Sequence, residues 1–366
     1  MNLKELVSMS NRYGSNPDYV LAGGGNTSVK DGDTMYVKCS GTCLADIGES
    51  GFVAMSIGKL RGLMEKEYPA GDKEREAAFL ADVMEARTDA DLSKRPSVEA
   101  LLHSLFPQKY VLHVHPALIN GLTCSQGAGE KARELLGDTM LWIPLCRPGY
   151  TLGKICFDAM AEYEKAQGKK IQILLLQNHG IFVAGDTVEE IDALFASVEK
   201  ALAAVVQRKA DLTAPDAKTM KQLEAAAAAL SKELGATVEP NAVKEASAFA
   251  ASREAAKPLL FPFTPDHIVY SGAWPLFLDA VEGAADKRKV FEEENGFTPK
   301  LILLRGVGVF VMADSEAARE KAKLLSRDAM KVAVYAESFG GALPMTEELT
   351  DFILHWEAES YRSKQG

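Results

Sequence analysis

Tyr110-Val-Leu-His-Val-His-Pro116 is the stretch on which the reading of this chain turns. In an extended strand successive side chains take opposite faces. His113 and His115 therefore project together, and Leu112 and Val114 go to the other side. Two adjacent imidazoles are two metal ligands in place. A second strand-like run, Ile173-Leu-Leu-Leu-Gln-Asn-His-Gly180, ends on His179 as a candidate third. Three of the chain's six histidines thus fall in two short apolar runs. Three neutral nitrogens leave the open position that separates a catalytic zinc site from a closed structural one. A bare His-x-His is equally compatible with packed histidines on a strand, so the surroundings must decide.

Length leaves room for two domains or one large one: 366 residues, with ordinary globular values of 47% hydrophobic and 25% charged. A formal net charge of -10 argues against a nucleic-acid partner, which favours a basic face. The N-terminus lacks the apolar core of a signal peptide and no run approaches a membrane span. Cys39, Cys43, Cys124, Cys146 and Cys156 form no C-x-x-C pair and read as reduced thiols of a cytoplasmic protein.

Outward from the histidines, the first twenty residues read as a helix ending near Tyr13-Gly14. The glycine run Gly23-Gly-Gly-Asn26 then leads into a strand, and Met35–Cys39 is a second strand closed by Ser40-Gly41. Helical patterns follow at 57–68 and 73–86. Pro96–Phe106 reads as a helix with Ser97 as N-cap and Leu101, Leu102 and Leu105 inward. Met140–Pro144 and Ile171–Leu176 read as strands, and Val188 to about Arg208 as a long helix. From about 214 to 257 the composition shifts to alanine, lysine and glutamate, helical and then linker-like.

The C-terminal block carries an internal repeat. Leu301–Ser315 aligns without gaps on Ile173–Thr187, matching Leu175, Leu176, Gly180, Phe182, Val183 and Asp186 with Leu303, Leu304, Gly308, Phe310, Val311 and Asp314. Val307 stands where His179 stands. Weaker similarity links Val269-Tyr-Ser-Gly272 to Lys38-Cys-Ser-Gly41. The expected layout is a catalytic domain over 1–212, a helical linker over 213–258, and an abbreviated, non-catalytic copy over 259–366.

Glu99 lies just before the His-x-His strand, and an antiparallel helix–strand connection brings it near the histidine pair. A carboxylate beside a Lewis-acid metal is a candidate general acid/base, against the plainer reading of a solvated charge. His103, one turn on, reads better as a satisfied packing histidine than as a ligand. Gly23-Gly-Gly-Asn26 lacks the G-x-G-x-x-G spacing of a dinucleotide fingerprint. It suits an anion-binding loop, with Ser40-Gly41 as a second half, as well as it suits a tight hairpin turn.

Together, Gly25-Asn-Thr-Ser28, Ser40-Gly41, Pro96-Ser-Val-Glu99, His113-Val-His115-Pro and Asn178-His-Gly180 resemble the class II aldolase/adducin family, over about residues 1–210. The wording is most similar to the aldolase half of bifunctional rhamnulose-1-phosphate aldolase/lactaldehyde dehydrogenases. Thr264-Pro-Asp-His267 and Trp356-Glu-Ala-Glu-Ser-Tyr361 resemble the stretch that follows there, and the expected match is to the aldolase half without the dehydrogenase half. The resemblance implies an α/β/α layered fold with a central, largely antiparallel sheet. It implies zinc, or another divalent metal, on His113, His115 and His179, and Glu99 as the acid/base at the enediolate carbon. Asn26, Thr27, Ser40, Gly41 and Ser97 would hold the substrate phosphate. Val98 departs from the family's frequent Ser-Ser-Glu and removes one phosphate hydroxyl. Family members also borrow a tyrosine from a neighbouring subunit, for which Tyr150 and Tyr335 are candidates.

The implied activity is reversible retro-aldol cleavage of a rhamnulose- or fuculose-1-phosphate type ketose to dihydroxyacetone phosphate and an aldehyde, in a homo-oligomer. Pentulose-phosphate 4-epimerases and sugar-acid-phosphate decarboxylases of the same fold share the three histidines and form one alternative. An adducin-like interaction module is the other, although such modules lose the triad.

Overall fold

The computed structural model describes residues 2–357. They divide into two compact units, one formed by residues 2–123, 127–205 and 356–357 and the other by 124–126 and 206–355. No helix among the described residues is long and apolar enough to cross a membrane. None of the five cysteines forms a disulfide.

The first unit opens on α1 (Lys4–Gly14) and a three-strand meander, β1 (Asn26–Asp31), β2 (Thr34–Lys38) and β3 (Phe52–Ser56). Helices α2 (Ile57–Gly62), α3 (Asp72–Glu85) and α4 (Ala100–Leu105) lead to β4 (Tyr110–Val114). After α5 (Ala117–Thr123) and α6 (Ala128–Leu136) come β5 (Leu141–Ile143), α7 (Tyr150–Gln167), the hairpin β6 (Ile173–Leu176) and β7 (Gly180–Gly185), and α8 (Val188–Ala203). The sheet order is β3-β2-β1-β4-β7-β6-β5, antiparallel at every pairing except β5 with β6. This is the expected central, largely antiparallel sheet.

Every residue of β4 is buried, so both faces of the sheet are covered. Val111 packs with Leu102 and Phe106 of α4, Leu152 and Cys156 of α7, and Phe182 of β7. The opposite face meets α1, where the Tyr110 hydroxyl reaches Glu5 and the Thr27 hydroxyl reaches Ser10. β1 pairs with β4 so that Asn26 lies opposite His113 and Thr27 opposite Leu112.

The helix expected over 96–106 starts later. Ser97 N–H donates to the Lys38 carbonyl at 2.9 Å and Pro96 bridges Cys39, so this segment extends beside the end of β2. Helical geometry begins only after Glu99, which occupies the N-cap position of α4.

The second unit contains α9 (Ala217–Leu234), β8 (Val238–Pro240), α10 (Lys244–Phe249), α11 (Arg253–Ala256), a π-helical turn (His267–Ser271) and β9 (Leu276–Leu278). It continues with α12 (Ala284–Asn295), β10 (Leu301–Leu304), β11 (Gly308–Met312), α13 (Glu316–Ala336) and α14 (Glu347–His355). Its sheet order is β8-β11-β10-β9. The expected linker over 213–258 is therefore corrected. Leu223, Ala227, Leu230 and Leu234 of α9 and Val238 of β8 lie in one core with Ile302, Leu304 and Phe310. Burying those leucines is worth about 1.5–3 kcal/mol each, which a linker helix would forgo.

The four strands repeat β4-β7-β6-β5 in order and direction: the two hairpins are antiparallel, and β9 runs parallel to β10 as β5 does to β6. The hairpin registers coincide, Leu174 opposite Phe182 and Ile302 opposite Phe310. Thr187 and Ser315 cap the helices that follow in the same way. The copy thus begins no later than β8, not at 259. It also moves Ser271-Gly272, which precede β9, away from any equivalence with Ser40-Gly41 after β2. In that stretch His267 takes Thr264 on one ring nitrogen at 2.9 Å and Asp328 of α13 on the other at 3.3 Å. Of the terminal stretch 356–361, Glu357 pairs with Arg95 at 2.6 Å, and residues 358–361 lie outside the described residues.

Candidate active site

Register brings the site together. His113, inside β4, lies opposite Asn26 of β1 and Phe182 of β7, and His115 follows just past the strand end on the same side. His179 sits in the tight turn between β6 and β7, where Asn178 adopts a φ of 55°. The three imidazoles offer nitrogens that lie within 4.8 Å of one another. Two glycines permit this closeness. A Cβ on Gly180 would stand 2.6 Å from the Val114 carbonyl and 2.7 Å from the His115 ring, and Gly25, at φ 64°, would place one 2.9 Å from the His113 carbonyl.

Phe182 stacks on the His113 ring with centroids 3.9 Å apart. His113 Nδ1–H donates to the Ile181 carbonyl at 2.9 Å, which turns the Nε2 lone pair toward the cluster. Burial pushes His113 down to about 4 against the pull of Glu99, so at neutral pH it is the uncharged ligand form.

Glu99 meets the cluster from the N-terminus of α4. Its Oε1 lies 3.1 Å from Nε2 of both His113 and His179, while Oε2 accepts a hydrogen bond from Asn26 Nδ2 at 2.6 Å. Burial pushes this carboxyl up, but the pull of His113 and His179 in their charged forms outweighs it and holds it well below the usual range. Oε1 is buried without a hydrogen-bond donor. A carboxylate oxygen and imidazole lone pairs at such distances form an electron-rich pocket, and a divalent cation fits that donor set.

The remaining expected residues divide. Ser40, Gly41 and Ser97 are gathered where the end of β2 meets 95–97: Ser40 N–H donates to the Arg95 carbonyl at 2.9 Å. The Ser97 hydroxyl accepts the Glu99 N–H at 3.3 Å. Thr27 is not part of this group; its hydroxyl is 2.7 Å from Ser10 on the other face of β1. Lys38 went unnoticed in the sequence. It is buried at the end of β2, with Nζ 3.4 Å from the Gly23 carbonyl, and its signal was a lysine inside an apolar strand just before Ser-Gly. Tyr150 opens α7 and packs on Tyr68 and Phe79, and Tyr335 lies on α13 of the second unit. His103 is fully buried, bonded to Ser28 and Asn26, and is no ligand.

Residues 4–206 match the class II aldolase and adducin N-terminal domain. The chain belongs to that family. It is 25% identical to the "uncharacterized oxidoreductase YuxG" of Bacillus subtilis (strain 168) over 98% of its own length, and spans 58% of that relative. Among solved structures, the N-terminal class II aldolase domain of a conserved protein from Thermoplasma acidophilum is 26% identical. That match covers 57% of this chain and 94% of that one, with a TM-score of 0.47. An L-fuculose-1-phosphate aldolase from Thermus thermophilus is 13% identical over 56% of this chain and 94% of its own, with a TM-score of 0.34.

Within the chain, strand register identifies what the second unit has in place of His113, His115 and His179. Pro240 lies opposite Phe310 as His113 lies opposite Phe182, which sets Ala242 at the position of His115 and Val307 at that of His179. Pro240, Ala242 and Val307 have side chains that cannot bind a metal.

Proposed function

We propose that this chain is a zinc-dependent aldolase that reversibly cleaves a phosphorylated ketose of the rhamnulose- or fuculose-1-phosphate type into dihydroxyacetone phosphate and an aldehyde. The observation that carries this reading is the Glu99 Oε1 atom, 3.1 Å from two imidazole nitrogens of a three-histidine cluster. His113, His115 and His179 would hold the zinc, which supplies Lewis-acid stabilisation of negative charge on the ketose oxygens. In the condensing direction the Glu99 carboxylate removes the proton from the carbon beside the ketone. In the cleaving direction the C4 hydroxyl loses its proton to water as the C3–C4 bond breaks and the aldehyde forms, and Glu99, having taken up a proton from solvent, delivers it to the enediolate carbon.

Ser40, Gly41, Ser97 and the remaining N–H of Asn26 are the proposed phosphate donors, with Lys38 as the countercharge. Thr27 drops out because its hydroxyl is engaged by Ser10. The second unit is read as a non-catalytic copy, and the chain as the aldolase portion of a bifunctional type. The relative of which it spans 58% carries an oxidoreductase name. A cytoplasmic homo-oligomer completes the proposal.

The test is to incubate zinc-loaded protein with rhamnulose-, fuculose- and ribulose-type phosphates and with sugar-acid phosphates, and to analyse products by mass and NMR. Dihydroxyacetone phosphate plus a three-carbon aldehyde from the rhamnulose or fuculose type, or a two-carbon aldehyde from the ribulose type, supports the reading. An isomer of unchanged mass identifies an epimerase instead, loss of carbon dioxide from an acid substrate a decarboxylase, and no bound metal an interaction module.

A further inference from the structure

We propose that His103 is a positioning residue: it fixes which way the Asn26 amide faces and thereby aims the Glu99 carboxylate at the histidine cluster. The inference rests on the acid/base reading of Glu99 for its kinetic consequence, though not for its geometry.

An amide has two unlike ends, one accepting and one donating, and a flip exchanges them. Beside an ionised carboxylate only the donating end is tolerated, and Asn26 Nδ2 is the atom 2.6 Å from Glu99 Oε2. Something must hold Oδ1 on the other side. His103 Nε2 is that group, in hydrogen-bond contact with Asn26 Oδ1, so Nε2 carries the ring proton. Nδ1 then bears a lone pair and takes the hydroxyl proton of Ser28 at 2.8 Å. Donor meets acceptor at every step from Ser28 through His103 and Asn26 to Glu99. The other tautomer would present a lone pair to Asn26, turn its amide, and set Oδ1 against the carboxylate.

The row is built from both periodicities of the fold. Glu99 and His103 are four apart, from the N-cap into the first turn of α4, and Asn26 and Ser28 are two apart on one face of β1. All four residues are less than a tenth exposed, so each polar atom depends on its neighbour rather than on water. Burial holds His103 well below the usual histidine range, which keeps the ring neutral with one donor and one acceptor. A histidine kept for packing would need only its ring against Phe182, 5.4 Å away. Such a role asks nothing of Ser28 or Asn26. The copy in the second unit agrees: among the described residues β8 is an edge strand, with no neighbour in the place of β1, and the row and the three histidines are missing together.

The test combines spectroscopy and kinetics. In 15N-histidine-labelled, metal-free protein, the ring assigned to His103 by comparison with His103→Leu carries its proton on Nε2. The opposite tautomer, or a charged ring, overturns the proposal whatever the enzyme's substrate. In zinc-loaded protein, His103→Leu keeps its metal stoichiometry but loses about 30- to 100-fold in kcat, beyond any rise in KM that the lost Asn26 contact to phosphate brings. His103→Gln, whose amide N–H can reach Asn26 Oδ1, recovers part of that loss, and Ser28→Ala shows a smaller loss of the same kind. A folded, metalled His103→Leu with kcat within twofold of the parent, or a loss confined to KM, overturns it. If no sugar phosphate is turned over at all, the aldolase reading fails while the tautomer measurement still decides the geometry.

Discussion

Replacing Lys30 by methionine tests whether the inner face of β1 is as dry as the site requires. Lys30 follows Asn26 and Ser28 on that face, is 8% exposed, and donates from Nζ to the Gln108 carbonyl at 3.0 Å. Burial, helped by Arg61, pushes its ammonium down from 10.5 to about 7, with Asp186 pulling the other way. Below pH 7 both folded and unfolded chains hold the proton, and the group contributes no slope. Between pH 7 and 10.5 the unfolded chain still holds a proton that the folded chain has released, so stability rises with pH through that window. The full difference corresponds to about 5 kcal/mol, of which about 2 kcal/mol falls between pH 7 and 9. Lys30→Met removes that rise. It also loses the bond to Gln108, at about 1–3 kcal/mol, so its net gain at pH 7 is about 1–3 kcal/mol. Denaturant unfolding in a Trp274→Phe background leaves Trp142 and Trp356, both in the first unit, as reporters. Parent and variant are compared at pH 7 and pH 9. A gap between the two proteins that does not shrink by about 2 kcal/mol on going to pH 9 refutes the reasoning.

Three further expectations follow from the same geometry. Thr27→Val, which loses only the bond to Ser10, lowers stability by about 1 kcal/mol and leaves KM for a sugar phosphate within twofold, whereas Ser97→Ala raises KM about tenfold or more; steady-state kinetics on the two variants separates the faces of β1. Phe182→Ala removes the ring stacked on His113 and costs about 3–5 kcal/mol, measured by thermal unfolding of the metal-free protein. Gly180→Ala drives a Cβ into the His115 ring. Metal affinity by competition with a chelator falls about 10- to 100-fold although every histidine remains.

Much of this arrangement was legible in the chain itself. The alternation in 110–116 places His113 and His115 together because a strand has a period of two, and His179 joins them because the next hairpin pairs with that strand. The same rule, applied to Asn26-Thr27-Ser28, would have removed Thr27 from the site, since neighbours on a strand cannot share a face. The late start of the Glu99 helix is not legible locally, because the pairing of 95–97 with the end of β2 is a long-range contact with no local signature. The linker was misread for a compositional reason: in α9 the buried row Leu223, Ala227, Leu230 and Leu234 is thinned by alanine, and its period is hidden among lysines and glutamates. Pro240 and Ala242 could not be matched to His113 and His115 by similarity. Only the register of β8 against β11 reveals the correspondence.

The central claim is that Glu99 moves a proton beside a metal held by three histidines. Solvent deuterium exchange into dihydroxyacetone phosphate, followed by NMR on zinc-loaded parent and Glu99→Gln proteins, tests it most directly. The account predicts one zinc per chain in both, exchange of a single hydrogen at the carbon beside the ketone in the parent, and a loss of at least about a hundredfold in the variant. A Glu99→Gln protein that binds zinc and exchanges that hydrogen at the parent rate would contradict it.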